Sequence, residues 1–502
     1  MRVMLVSPPV APAEEDYHFL QGGWRKRTRT VLPRPRPVVG IMPSFSLLYL
    51  AKPLANRGHQ VRYVEGFGKS VADLCREAER WQPDVVALTS LTFRWERVVE
   101  LAAAMKATLP RSRVVVGGLH AAALGERAFD ECPSLDGVFV GEGEEHFPSL
   151  VDALAEGASP QGIPGVLFRH GDGLIVNPPA PDVRDLDALP FPDRGLLDLG
   201  AYVPSPLHHR ALPNTSLFGA RGCPYRCTFC HTDPKIRVRS AGSVVDEMEE
   251  CVRRYGVRDF SIWDDVFSIR RKRVFEICDE IQRRGLGVHW SVNARVEHVD
   301  EEMLRAMKGA GCWSVLYGIE TGNPASLALL GKKTEPEDVE AAVRAARRAG
   351  VLTLGTFILG IPGEGVEGGL RTIDHACKIG LDYAFFGFLT PFPGTGIRAE
   401  IDAGKWKGTW VDANRFDIKN VTWVPEGVTE TELEELARTA IRRFYFRPGY
   451  LLASLRRLRS IHDVVTYANA FLHFASVWLW RNSRLPALPP RPPRLSPAGA
   501  SV

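Results

Sequence analysis

Apolar positions in the first third of the chain recur in two alternating patterns. Short uninterrupted apolar runs are followed by longer stretches with apolar spacing of three and four residues. The runs Val3–Val6, Gln60–Val64, Val85–Leu88, Arg113–Val116 and Gly137–Val140 predict strands. The stretches Ser46–Arg57, Val71–Trp81, Trp95–Thr108 and His146–Ala155 predict helices, with Gly58 stopping the first of them. Strands that alternate with helices at this spacing build a parallel, doubly wound sheet. Such a sheet binds ligands beyond the carboxyl ends of its strands. Those ends carry Ser7-Pro8-Pro9, Ser90-Leu91-Thr92, Gly117-Gly118-Leu119-His120 and Gly141-Glu142-Gly143-Glu144. Glycines and small hydroxyls there let a large ligand come close to the backbone.

The periodicity fades over residues 156–213, which predict a linker. Its later part, Pro178–Pro213, is rich in Pro, Asp and Leu and is expected to lie across a domain junction. A second strand–helix series starts at Ser216–Ala220. It continues through strands at Asp259–Trp263, His289–Val292, Ser314–Tyr317, Thr353–Leu359 and Tyr383–Phe388. Helices are expected between them at Val244–Tyr255, Lys272–Arg284, Glu301–Ala310, Pro336–Ala349 and Gly368–Ile379. Six such units are too few for a closed eight-stranded barrel, so a partial barrel is predicted. The expected organisation is therefore α/β. A Rossmann-like domain spans 1–155, the linker 156–213 and a partial (β/α)6 core 214–400. A helical region covers 401–484, with its helix predicted over Glu430–Arg484, and a Pro/Arg/Ala tail at 485–502 is expected to be disordered.

Composition changes this picture little. With 502 residues the chain has room for two or three domains. A formal net charge of +4 implies no nucleic-acid partner. The first nine residues lack a signal-peptide pattern, and nine cysteines without a paired framework predict a reduced, cytoplasmic protein. The basic run from Arg25 to Arg36 is expected to be a solvated loop.

Three of the nine cysteines stand apart from the rest. Gly222-Cys223-Pro224-Tyr225-Arg226-Cys227-Thr228-Phe229-Cys230 places three thiols on one loop, directly after the first strand of the second series. Three thiolates can bind three irons of a cubane and leave the fourth iron open. A zinc site is the competing reading, with His231 as its fourth ligand.

The C-x3-C-x2-C triplet resembles that of the radical S-adenosylmethionine (SAM) superfamily. The likeness extends over later segments: Trp263-Asp264-Asp265-Val266-Phe267, Val292-Asn293-Ala294-Arg295, Gly318-Ile319-Glu320-Thr321-Gly322, Gly360-Ile361-Pro362-Gly363-Glu364 and Thr390-Pro391-Phe392-Pro393-Gly394-Thr395. The resemblance implies that Cys223, Cys227 and Cys230 hold a [4Fe-4S] cluster whose open iron chelates SAM. Reductive cleavage of SAM then gives a 5′-deoxyadenosyl radical. It further implies Phe229 as an adenine contact and Glu320 as a hydrogen-bond partner of SAM. Arg295 becomes a partner for its carboxylate, and Asp264 a SAM or substrate contact; a cap or salt bridge is the alternative role for each acidic residue.

Preceded by the N-terminal sheet, this core resembles the cobalamin-dependent (B12-binding) radical SAM class. The likeness rests on Pro83–Ser90, Val115–His120 and Gly141–Glu144. It implies cobalamin between the domains, near Ser90, Thr92, Gly117, Gly118, His120, Gly141 and Glu142. Asp16–Gly22 misses the D-x-H-x-x-G pattern by one residue, so cobalt is expected to lack a histidine lower ligand and His120 to be a contact. Phe444–Tyr450 and the aromatic run Val464–Trp480 point to an apolar substrate, with peripheral membrane contact through the C-terminal helices as an option.

The function implied is methylation of an unactivated carbon of a small molecule, with a flavodoxin or ferredoxin as electron donor. A cobalamin-dependent cyclase or rearrangement enzyme is the alternative. A non-catalytic Fe–S/cobalamin sensor is the alternative of another class.

Overall fold

The computed structural model describes residues 1–9, 38–39, 42–171, 173–204, 209–412 and 418–455. The near-miss motif at Asp16–Gly22, the basic run from Arg25 to Arg36, the aromatic run Val464–Trp480 and the tail 485–502 lie outside them. Residues 1–447 form one compact unit, and residues 448–502 form a second, in which the helix Pro448–Leu455 is described.

The first sheet has seven strands in the order Gln60–Val64, Arg2–Val6, Val85–Thr89, Arg113–Gly117, Gly137–Phe139, Val166–His170 and Gly173–Val176. The first five are parallel, with pairings such as Val3↔Val61, Val3↔Val85 and Ala87↔Val115. Because these strands are covered on both faces, Val3, Leu5, Val85 and Ala87 sit in one core, and Met4, Val6, Val86 and Leu88 in another. Chain order reverses between Arg2–Val6 and Val85–Thr89, and the crevice of such a sheet opens at that switch point. The last two strands form an antiparallel hairpin at the edge of the sheet. They fall inside the segment read as a linker, whose Val166–His170 is buried only over its first three residues.

The second sheet has six parallel strands in chain order: Asn214–Leu217, Asp259–Ile262, His289–Ala294, Cys312–Glu320, Leu352–Leu359 and Tyr383–Phe388. Its first and last strands do not pair with each other, which gives the open (β/α)6 arrangement. Helices such as Ala241–Tyr255 and Pro336–Ala349 connect successive strands. Each starts at a side-chain cap and ends at a glycine in the left-handed region, Gly256 and Gly350. The helix Glu430–Tyr445 covers the last strand, and Tyr445 Oη donates to Ala384 O at 2.8 Å.

Four serines occupy one rung of this sheet, through the pairings Ser216↔Ser261, Ser261↔Ser291 and Ser291↔Ser314. Ser261, Trp263, Ser291, Asn293, Ser314 and Leu316 line a small cavity above it.

Below the rung, Asp259 accepts hydrogen bonds from the backbone N–H of Arg210 and Ala211 and from Trp313 Nε1, the last at 3.3 Å. Burial pushes its carboxyl up to about 6, above its unfolded value. The folded state then holds more protons than the unfolded state between about pH 4 and 6. Its contribution to stability is fully present below that window and falls as pH rises through it. Asp259→Asn is expected to remove this decline, on the order of 2 kcal/mol, in thermal melts recorded from pH 4 to 7.

Candidate functional site

The cysteine loop rises from a two-residue hairpin. Ala220–Arg221 pairs antiparallel with Arg237–Val238, so Arg221 stands opposite Arg237, and residues 222–236 make the excursion between them. Gly222 has φ +84, and a Cβ there would lie 2.4 Å from Lys235 O, so the loop closes only on glycine. Cys223 N donates to Asp233 O at 2.8 Å, and Cys230 N to Cys227 O at 3.1 Å. The far side of the loop is tied to the core, with Thr228 N donating to Leu330 O and Ile397 N to Thr228 O.

Cys223 and Cys227 are half-buried, and Cys230 opens to solvent on one side. Protein packed against its other side pushes the Cys230 thiol up to about 11, and neighbouring Cys227 and Asp265 add to the shift. Burial likewise raises Cys223. Five of the remaining cysteines are buried, and Cys377 is half-buried. His231 leans on Gly394, its Nδ1 3.4 Å from the carbonyl oxygen.

Arg295 follows the strand His289–Ala294. Its fork is committed to Glu297, with Nη2 at 2.8 Å and Nε at 3.2 Å from the two carboxylate oxygens. Its plane lies 3.8 Å from the centre of the Tyr225 ring, and its Nη1 is 3.9 Å from Cys227 Sγ. Within the protein its other partners are the cysteine sulfur and, at 3.4 Å, Thr334 Oγ1. Tyr225 in turn is hydrogen-bonded to His298.

Glu320 ends the longest strand with φ +71, a left-handed conformation that costs a non-glycine residue roughly 1–3 kcal/mol. The strand register shifts between Gly318 and Glu320, which turns the carboxylate back along the strand end. Lys332 meets it there, Nζ to Oε1 at 2.8 Å, and also donates to Gly318 O. Both side chains are buried, at 5% and 9% exposure, so each needs the other. Lys332 was not among the expected residues; a lysine after Gly331, at the end of a short helix, is the signal that marks it.

Asp264 does not face the site. It is fully buried, accepts from Gly219 N at 2.5 Å and Ala220 N at 2.9 Å, and lies 3.6 Å from Arg273. It anchors the turn that leads into the hairpin, which matches the structural alternative given above for the acidic residues. Phe229 is half-buried against the apolar cluster of Leu389, Ile397, Ile401 and Trp423, in a loop-packing position.

At the first sheet, Ser90 is fully buried and structural. Its Oγ donates to Gly117 O at 2.8 Å and accepts from Ala121 N at 3.0 Å. Gly118 has φ +98, and a Cβ there would lie 2.5 Å from Ser90 O. Gly141 is excluded from bearing a side chain by Ala180 O at 2.6 Å. Gly117, by contrast, has ordinary room, and Thr92 opens a short 3-10 turn. Leu91 and Leu119 are exposed, at 37% and 60%, on the two ends flanking this pin. His120 is 8% exposed, with neither ring nitrogen hydrogen-bonded, and its ring lies 4.9 Å from that of Trp95. Burial lowers it to about 4, so it is a neutral imidazole at neutral pH.

Glu142 does not face the crevice either. Its two oxygens take Arg237 at 2.7 and 3.0 Å and Arg221 at 3.0 Å, and Val183 N donates to it at 2.6 Å. Burial alone would raise its carboxyl, but the Arg237 and Arg221 guanidiniums hold it below the usual range. The strand-end loop of the first sheet thus grips the base of the cysteine loop of the second.

Two family profiles match the chain: the B12 binding domain over residues 36–151 and the Radical SAM superfamily over residues 218–376. An uncharacterized methyltransferase of Pyrococcus horikoshii is 29% identical over 91% of this chain and 95% of that protein. The anaerobic magnesium-protoporphyrin IX monomethyl ester cyclase of Rubrivivax gelatinosus is 30% identical over 82% of this chain and 76% of that protein. Among solved structures, the radical S-adenosylmethionine methyltransferase TsrM of Kitasatospora setae, with cobalamin and a [4Fe-4S] cluster bound, superposes with a TM-score of 0.66. It covers 89% of each chain at 18% identity, which is a likeness of fold.

Proposed function

Since the chain belongs to the cobalamin-dependent radical SAM enzymes, we propose that it transfers a methyl group to an unactivated carbon of a small molecule. Its cofactors are a [4Fe-4S] cluster, SAM and cobalamin. When bound, they supply an electron, a hydrogen-abstracting carbon radical and a carried methyl group. The observation that carries the reading is the pair of strand-end loops: three cysteines on 222–236, gripped at their base by Glu142 and Glu144 of the cobalamin-type sheet.

The residues fit these groups. Three thiols and no fourth protein thiolate suit a cubane with an iron left for SAM. The buried Lys332–Glu320 pair offers an ammonium and a carboxylate side by side, matching the carboxylate and ammonium of an amino acid. Gly118, Leu91, Leu119 and neutral His120 form a face that is apolar, close to backbone and free of charge, as a large macrocycle requires. The substrate is a small molecule. The C-terminal sequence favours an apolar one, and the small serine-lined cavity suits neutral hydrogen-bonding groups on it. A flavodoxin- or ferredoxin-type protein is the proposed electron donor. No helix among the described residues is long and apolar enough to cross a membrane.

Anaerobic incubation with reductant, cobalamin and SAM tests the reading: 5′-deoxyadenosine and S-adenosylhomocysteine should both form when substrate is methylated. Deoxyadenosine without S-adenosylhomocysteine would favour a cyclase or rearrangement enzyme, the reading that the cyclase relative supports. Arg295 acts on the cluster in this scheme, placing a positive charge beside Cys227. Arg295→Met should lower the cluster's reduction potential by roughly tens of millivolts, read by redox titration, because positive charge and N–H···S contacts favour the reduced state.

A further inference from the structure

We propose that Glu142 is a positioning residue that couples the cobalamin site to the cluster loop, so that filling either one tightens the other. The inference rests on the cobalamin reading above and goes beyond it. Arg221 and Arg237 are the two feet of the loop that carries all three cysteines, and they are partners in the hairpin register. Two guanidiniums side by side repel, and their charges are balanced from the other domain. Glu142 bridges both feet, at 3.0 Å to Arg221 and 2.7 and 3.0 Å to Arg237, while Glu144 adds a 2.6 Å contact to Arg221. Asp233, inside the loop, takes Arg237 at 3.1 Å and also receives Cys223 N. Charge-assisted hydrogen bonds therefore run from the strand-end loop Gly141–Glu144 to the Asp233 side chain, and the Asp233 backbone carbonyl carries the connection to the N–H of the first cysteine.

The gripping loop has little freedom of its own. Gly141 lies against Ala180 and Gly143 against Leu50, so what holds this loop holds the feet of the cysteine loop. It follows the strand neighbouring the one that ends in Gly117, Gly118 and His120, on the face assigned to cobalamin. A ligand packed there bears on this stiff loop, and its carboxylates pass the load to both arginines and so to the cysteine loop. Such coupling is reciprocal by thermodynamic necessity and typically spans 5–150-fold in affinity.

The test is the Kd of hydroxocobalamin for the full-length protein, measured by absorbance with and without the reconstituted cluster. Wild-type protein should bind at least about five-fold more tightly with the cluster present. Glu142→Gln should bring that ratio close to one while both forms still bind cobalamin. Arg237→Lys, which keeps the charge but loses the two-point contact, should give an intermediate ratio and serves if the first variant does not fold. A wild-type ratio of one, or an unchanged ratio in both variants, overturns the coupling. Absence of cobalamin binding in either form overturns the cobalamin reading itself, and the coupling with it.

Discussion

Cys227→Ala is expected to remove the brown iron–sulfur absorbance and to abolish 5′-deoxyadenosine formation under anaerobic turnover conditions. The expectation is severe because the site has no spare thiol. Five of the other cysteines are buried outside the loop, and the exposed His231 is turned to the Gly394 carbonyl. Cys227 is also the sulfur that Arg295 approaches, so alanine there leaves a guanidinium facing an empty position. The loop itself should keep its path, since the backbone bonds of Cys223 to Asp233 and of Thr228 to Leu330 and Ile397 do not pass through the Cys227 side chain. Folding should therefore persist while the stabilisation that metal binding confers disappears, seen as a melting temperature that no longer rises on reconstitution. Cys377→Ala, on the helix Gly365–Lys378, is the matched control and should retain cluster and turnover.

Glu247→Gln should cost more stability than any other single polar change among the described residues, about 3–5 kcal/mol. Glu247 is fully buried on the helix Ala241–Tyr255 and neutralises two buried arginines at once. Arg194 Nη2 lies 2.6 Å from one oxygen, and Arg239 Nη1 is hydrogen-bonded to the other. Arg194 also donates to Thr215 Oγ1 and Ser216 O and lies over the Phe45 ring. The residue thus joins the segment 156–213 to the first helix and to the first strand of the barrel. Glutamine would leave two desolvated positive charges without a counter-charge. Burial alone would raise the Glu247 carboxyl, but the two guanidiniums hold it below its unfolded value. The stability it contributes is therefore present above about pH 4.3 and lost as pH falls through the lower folded value. Thermal melts should show the wild-type advantage over Glu247→Gln shrinking on acidification in that window. Glu247→Asp should recover part of the loss at neutral pH.

The first sheet was legible from apolar runs, because parallel strands buried on two faces leave uninterrupted Val, Leu and Ile in the sequence; the second was legible as a strand–helix series although its strands carry the serine rung. The hairpin Val166–His170 and Gly173–Val176 was not, since only Val166, Leu167 and Phe168 are buried, and Gly173–Val176, though apolar, is a short, largely exposed edge strand. The cysteine loop could be read from spacing alone, as its chemistry lies within eight residues of sequence. Lys332, Glu297 and Arg237 could not. Each acts through a partner fixed by tertiary structure, and a lone charged residue carries no periodic signal. Glu142, Ser90 and Asp264 stand at strand ends where ligands bind, yet their side chains are spent on Arg221 and Arg237, on Gly117 and Ala121, and on Gly219 and Ala220. Strand-end position narrows the search to a face, and only the hydrogen-bond partners separate scaffold from site.

Cys230 opens to solvent while its two companions are half-buried. An electron crossing from a donor needs such a thin wall, and dioxygen enters by the same window. The oxidation ladder of sulfur therefore starts at Cys230 before it reaches Cys223 or Cys227. In air-exposed protein, mass spectrometry should find sulfinic or sulfonic acid at Cys230 first. The opening that lets the cluster be recharged thus also sets how long it survives in air.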